Sequence, residues 1–282
     1  PAQPRTGLTF RVSMASTPPP ERGNAAIPLP TLRQDIEILR ILSAFGIVWF
    51  HSGFDGTGIS YSGLVVFLIL SAYLAAERPD AGRPFIRILS RRAVRMLSPW
   101  AVWMLAYGIR NHFIGRDIVE TDRGWINGIL AGTNIHLWYL PYMFAATVAL
   151  DLVVPRARRE WLGPACAIGA ILSLSTAGIW RPWTEAHGYP TVQYAHAVPG
   201  ILIGLFLACA RDMRFPLRST ALAALLATCG AIFWMEVVGV GIPYLTGTVL
   251  CSWILLRPPR LPAWFDVRTI SGCMFGVYLS HI

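Results

Sequence analysis

Nine apolar runs dominate what this chain can fold into. With 54% hydrophobic and 14% charged residues, the composition is typical of an integral membrane protein. An α-helix of about 20 mainly apolar residues crosses a hydrocarbon core of about 30 Å. The sequence therefore predicts an all-α, polytopic transmembrane helix bundle of about nine spans. The runs lie near residues 36–53, 59–76, 96–114, 136–154, 161–180, 192–210, 218–236, 240–256 and 270–282.

The two ends of the chain differ from this pattern. Residues 1–32 are rich in Pro, Ser, Thr and Ala and contain no apolar stretch, which predicts a disordered cytoplasmic tail. The last run, 270–282, is shorter than a span needs. We therefore expect the transmembrane domain of residues 33–282 to be incomplete at its C-terminus.

Arginine supplies every positive side chain of a chain with formal charge +9 and no Lys. With the N-terminus inside, the predicted cytoplasmic loops 77–95, 155–160, 211–218 and 257–268 contain fifteen Arg, whereas the outer loops contain three. Cytoplasmic loops are enriched in basic residues, so this asymmetry predicts a cytoplasmic N-terminus. Because cytoplasmic loops explain the basic charge, this charge is weak evidence for a nucleic-acid partner, and none is predicted.

The first apolar run contains charged groups as well as a histidine. Arg40 and His51 are eleven residues apart, so a helix places them on one face, roughly 16 Å apart along its axis. Glu37 lies near the same stripe. Ionisable residues within a membrane helix usually face a cavity or a partner. The alternative is that Arg40 extends to the membrane interface and His51 simply ends the helix.

The loop 77–95 contains six arginines, including Arg92 and Arg95. Guanidinium groups bind phosphate bidentately, so the cluster suits a phosphorylated ligand. The alternative is an anchor on anionic lipid headgroups. No acidic residue lies between Asp80 and Arg95, which indicates that the cluster is not neutralised locally.

Two further segments contain histidines at the ends of apolar runs. One of them is His136-Leu-Trp-Tyr-Leu-Pro141, which is interpreted as part of an aromatic belt at the level of the lipid headgroups. Tyr278-Leu-Ser-His281 closes the chain. The five cysteines lie in apolar runs without metal-type spacing and are interpreted as small buried hydrophobes, so no metal site is predicted.

Taken in order, these segments resemble acyltransferase family 3, a family of integral membrane O-acyltransferases. Arg40-(x10)-His51 is similar to the motif of its first helix, and Arg92-x-x-Arg95 to its cytoplasmic arginine motif. His136-Leu-Trp-Tyr-Leu resembles its "HLWFL" segment. Two further matches are Phe67-Leu-Ile-Leu-Ser71-Ala-Tyr-Leu74, with Ala72 in place of the usual Gly, and Gly276-Val-Tyr-Leu-Ser-His281.

The resemblance implies transfer of an acyl group, commonly acetyl from acetyl-CoA, to a hydroxyl of a surface or exported polysaccharide. It implies a multi-pass protein of the inner (plasma) membrane of a bacterium, with acyl-CoA as a donor substrate and no bound cofactor. His51 and Arg40 become the expected catalytic residues. Arg92, Arg95, Glu37 and His136 become the expected substrate-binding residues. Acylation of a small lipophilic metabolite such as a macrolide, or non-enzymatic export by the same fold, stays open.

Overall fold

A computed structural model describes residues 33–53, 57–77, 84–119, 124–134, 136–237, 239–259, 261–262 and 266–281. Within these ranges the chain forms twelve helices and no strand, which confirms the all-α prediction. The predicted N-terminal tail lies outside the described residues. The helices are α1 (Gln34–Ser52), α2 (Thr57–Ser60), α3 (Ser62–Glu77), α4 (Phe85–Phe113), α5 (Trp125–Ala131), α6 (Tyr139–Val153), α7 (Arg159–Ser175), α8 (Ala177–His187), α9 (Thr191–Cys209), α10 (Phe215–Trp234), α11 (Gly241–Leu256) and α12 (Arg268–Ser280).

Each of the nine apolar runs coincides with a helix, but fewer helices satisfy a strict test for a membrane span. Among the described residues, Gly58–Glu77, Thr191–Cys209 and Phe215–Trp234 are long and apolar enough to cross a bilayer. The pair α7 and α8, bent by 70°, makes a fourth if it is counted as one span. Helices α6 and α11 are shorter, with 15 and 16 residues. The count of nine spans is therefore not confirmed by length and apolarity.

Helix α3 lies at the centre of the bundle. Its side chains are almost all buried, and it packs against α1, α6, α9 and α11. A helix that is apolar on every side is typical of such a position. Glycines allow the closest approaches: a Cβ at Gly204 would clash with the Ile69 carbonyl oxygen, and one at Gly63 with that of Ser43. The segment Phe67–Leu74 is thus mostly buried among four helices, with Leu74 exposed.

One end of the bundle gathers arginines around helix C-termini; we call it the arginine end. Helix C-termini expose carbonyl oxygens without intrahelical partners and bear a partial negative charge, so cations stabilise them. Three guanidinium groups donate hydrogen bonds to such carbonyls across the bundle. They are Arg33 to Ile254 (3.0 Å), Arg159 to Ala76 (2.9 Å) and Arg211 to Leu255 (3.2 Å).

Two local predictions are corrected. The segment 77–95 is not a loop throughout, because α4 begins at Phe85 and continues for 29 residues, about 43 Å. Arginine is a good helix former, so the change from basic to apolar residues marks no break in the helix. Four cysteines are buried as expected, whereas Cys273 is exposed on α12.

Candidate functional site

Three histidines that are far apart in the sequence meet at the end of the bundle opposite the arginine end. The ring of His281 lies 5.1 Å from that of His51 and 5.1 Å from that of His136, measured between centroids. We call these three residues the histidine cluster. They come from the last turn of α1, the segment before α6 and the end of α12. The motifs that contain His51, His136 and His281 therefore meet at one point in the structure.

Hydrogen bonds from tyrosine hydroxyls to backbone carbonyls hold the end of α12 against the segment before α6 and against α4. The Tyr278 hydroxyl donates to the carbonyl of His136 (2.8 Å), and the Tyr107 hydroxyl donates to that of Leu279 (3.0 Å). His136 is only 3% exposed and lies edge-on to both tyrosine rings. Its position is thus fixed by packing and hydrogen bonding, and the aromatic-belt interpretation does not describe it.

The acceptors around two rings assign their tautomers. Nε2 of His136 lies 3.2 Å from the Leu279 carbonyl oxygen, and Nδ1 of His281 lies 2.6 Å from that of Tyr278. A carbonyl only accepts, so these nitrogens carry the protons. The opposite nitrogens, His136 Nδ1 and His281 Nε2, have no hydrogen-bond partner within the described ranges. Both are available as proton acceptors.

The cluster opens onto a cavity of about 1050 Å³. His51 and His136 line it directly, whereas Arg40 does not. This volume suits a substrate of moderate size. Aromatic side chains form much of the wall, and an Arg181–Glu185 ion pair of 2.6 Å supplies fixed charge there. Other lining residues include Phe50, Tyr61, Trp138, Gln193, His196, Trp234 and Tyr278.

Arg40 and Glu37 lie further along α1, towards the arginine end. Arg40 pairs with Glu37 at 3.0 Å, and the Ser271 hydroxyl of α12 also donates to Glu37. The sequence prediction that Glu37 and Arg40 share a stripe agrees with this pairing. Neither Arg40 nor Glu37 lines the cavity, so this pair is not part of its wall.

Tyr139 connects these two levels. Its hydroxyl lies 3.0 Å from that of Ser71 on α3, and the charge of Arg40 acts on the same phenol. Its ring packs 5.6 Å from that of Tyr278, which in turn contacts the histidine cluster. Ring contacts thus link Tyr139, which lies beside Ser71 of α3, to His136 through Tyr278.

A family model described as an acyltransferase domain, that of acyltransferase family 3, matches residues 33–282. The chain belongs to acyltransferase family 3. The matched range covers every helix described above, including all residues of the site. Neither the search of curated proteins nor that of solved structures returns a match.

In this acyltransferase, Arg92 and Arg95 lie on α4 and do not line the cavity. Arg92 donates two hydrogen bonds to Asp151 of α6, at 3.0 and 3.1 Å, and the Asp151 side chain is fully buried. Arg92 is therefore neutralised by a residue of another helix, which the local sequence of the cluster does not show. Arg95 is exposed.

Sequence reasoning assigned no role to three residues of the structure. His281 lies in the histidine cluster, His196 lines the cavity, and Asp151 forms an ion pair. His196 is the only histidine of the run 192–210, and Asp151 is the only carboxylate of the run 136–154. Isolated groups of this kind mark a buried partner or a cavity. No group of three His, Cys, Asp or Glu side chains in the described parts of the chain is arranged to bind a metal ion.

Proposed function

We propose that this membrane acyltransferase transfers an acetyl group from acetyl-CoA to a hydroxyl of a surface or exported polysaccharide. The observation that carries the proposal is the histidine cluster at the wall of a substrate-sized cavity. Imidazole accepts and returns protons near neutral pH, which activation of a hydroxyl requires. Two of the three rings, those of His51 and His136, line this cavity.

The reaction is an ester-forming exchange. His51, the exposed ring of the cluster, takes the proton of the acceptor hydroxyl, and the oxygen attacks the thioester carbonyl of the donor. The carbon–sulfur bond breaks, the new carbon–oxygen bond forms, and the CoA thiolate takes up the proton. A route through an acylated His51 has the same overall balance. His136, held by Leu279 and Tyr278, orients the neighbouring His281.

The orientation of the bundle fits a cytoplasmic donor. The arginine end would face the cytoplasm under the positive-inside rule, with the cavity on the outer side. Exposed guanidinium groups on α4, Arg95 among them, are suited to the phosphates of CoA.

The test compares His51→Ala with His136→Ala in a full-length protein, at equal membrane levels. Positioned proton transfer contributes about 10²–10⁴-fold to rate, so His51→Ala should lose at least that much acetyl transfer to a cell-surface glycan. His112→Ala removes an exposed histidine outside the cavity lining and should change nothing. Retention of more than a tenth of the activity by His51→Ala would contradict the assignment.

A further inference from the structure

His196 is a buried polar residue that the proposed chemistry does not use. It lies on α9 with 0% exposure, and its ring packs 5.3 Å from that of Tyr61 and 5.2 Å from that of Tyr244. Neither ring nitrogen has a hydrogen-bond partner among the residues that the structure describes. Burial of a polar group without a partner costs free energy, so such a ring indicates a ligand.

The hydroxyl of Tyr244 holds the backbone at His196. The Tyr244 hydroxyl donates to the His196 carbonyl and accepts the N–H of Gly200 (3.2 Å). The hydroxyl thus bridges two groups that are one helical turn apart, just where Pro199 removes an N–H from α9. The bridge holds the backbone of His196, and the two tyrosine rings pack against its imidazole.

His196 is one of the residues that line the cavity of His51 and His136. Gln193, three residues earlier on α9, shares that face and also lines the cavity, and its Oε1 has no partner within the described ranges. A neutral imidazole offers one donor and one acceptor, and an amide offers both. Hydroxyl groups, which both donate and accept, complement this pair. The nearby charge of Arg181 is already paired with Glu185.

We propose that His196 and Gln193 form a subsite for a second hydroxyl group of the acceptor. The acceptor is then an uncharged ring with at least two hydroxyls, whose apolar face packs on Tyr61 and Trp138 in the cavity wall. One hydroxyl occupies the subsite while another reaches the histidine cluster. The subsite therefore determines which hydroxyl is acylated, an inference that rests on the proposed function.

The experiment uses His196→Phe and His196→Gln in the full chain, purified in lipid nanodiscs. Phenylalanine keeps a ring of similar size and removes both nitrogens, whereas glutamine keeps a donor and an acceptor. The probes are the methyl glycosides of glucose, galactose, mannose, rhamnose and N-acetylglucosamine. Binding is measured by calorimetry without a donor, and acetyl transfer is measured separately with acetyl-CoA. His187→Phe, an exposed histidine on α8, is the matched control.

We expect the wild type to bind at least one glycoside and His196→Phe to bind it at least about tenfold more weakly. His196→Gln should recover part of this loss, and the KM for acetyl-CoA should stay unchanged in both. Product analysis by NMR should show one acetylated position for the wild type and several for His196→Phe. Thermal unfolding without glycoside should occur at an equal or higher temperature in His196→Phe, because a buried polar group without a partner is removed.

The inference and the proposed function fail separately. Unchanged glycoside affinity and unchanged acetylated position in His196→Phe overturn the subsite, even if the wild type transfers acetyl groups. Absence of glycoside binding by the wild type overturns it as well. Glycoside binding that depends on His196 in a protein that transfers no acetyl group supports the subsite and contradicts the proposed function.

Discussion

At the scale of single residues, Glu37 connects Arg40 of α1 with helix α12. Its carboxylate accepts from Arg40 on its own helix and from Ser271 on α12, the helix that places His281. A carboxylate that binds both a guanidinium and a hydroxyl positions the side chain of Arg40 and the register of α12 together. The charged stripe of α1 therefore has a structural task that is separate from proton transfer at His51.

Removal of this carboxylate should loosen α12. Hydrogen bonds to charged groups contribute about 1.5–3 kcal/mol, so Glu37→Ala should lower the melting temperature by several degrees. Glu37→Gln keeps the acceptor for Ser271 and should lose less. The measurement is thermal unfolding in detergent, with Leu42→Ala, an exposed side chain of α1, as a control. A melting temperature of Glu37→Ala equal to that of the wild type would show that the contact contributes nothing.

At the scale of helices, α4 and α6 are joined by a buried ion pair. Arg92 and Asp151 are 59 residues apart, and their side chains are 13% and 0% exposed. The basic half of α4 and the apolar run of α6 gave no sign of this pairing, because it depends on tertiary packing rather than on local pattern. The prediction that Arg92 binds the donor now competes with a role in holding the two helices together.

A pair of variants separates these roles. Asp151→Ala leaves the Arg92 charge largely buried without that partner and should destabilise the protein by about 3–5 kcal/mol. The double variant Arg92→Met, Asp151→Leu replaces the pair with apolar groups and should regain most of this stability. Thermal unfolding measures both.

The KM for acetyl-CoA decides what Arg92 does. An unchanged KM in the double variant assigns Arg92 to structure, whereas a rise of about tenfold assigns it to the donor. The exposed Arg95 is the comparison: Arg95→Ala should leave stability unchanged and raise this KM by a similar factor if α4 binds phosphate. A stable Asp151→Ala single variant would contradict the structural role.

At the scale of the whole molecule, apolar runs predicted every major helix, because burial in lipid requires such runs whatever their neighbours are. Helix ends were harder to predict, as the start of α4 at Phe85 shows. The motifs identified His51 and His136 individually, but their contact through His281 depends on where α12 packs. His196 could have been noticed as a lone ionisable residue in an apolar run, yet only the cavity gives it a role.

The orientation of the bundle is the remaining whole-molecule prediction, and α4 offers the sharpest test. Ser90 and Asp117 are both exposed and lie near opposite ends of this helix, so a membrane that α4 crosses would separate them. In a Cys273→Ser background, which removes the exposed native thiol, we expect an impermeant maleimide to label Asp117→Cys in intact cells. Ser90→Cys should be labelled only after permeabilisation, because we propose that the arginine end faces the cytoplasm. Labelling of Ser90→Cys from outside would invert the bundle and place the acceptor cavity on the cytoplasmic side.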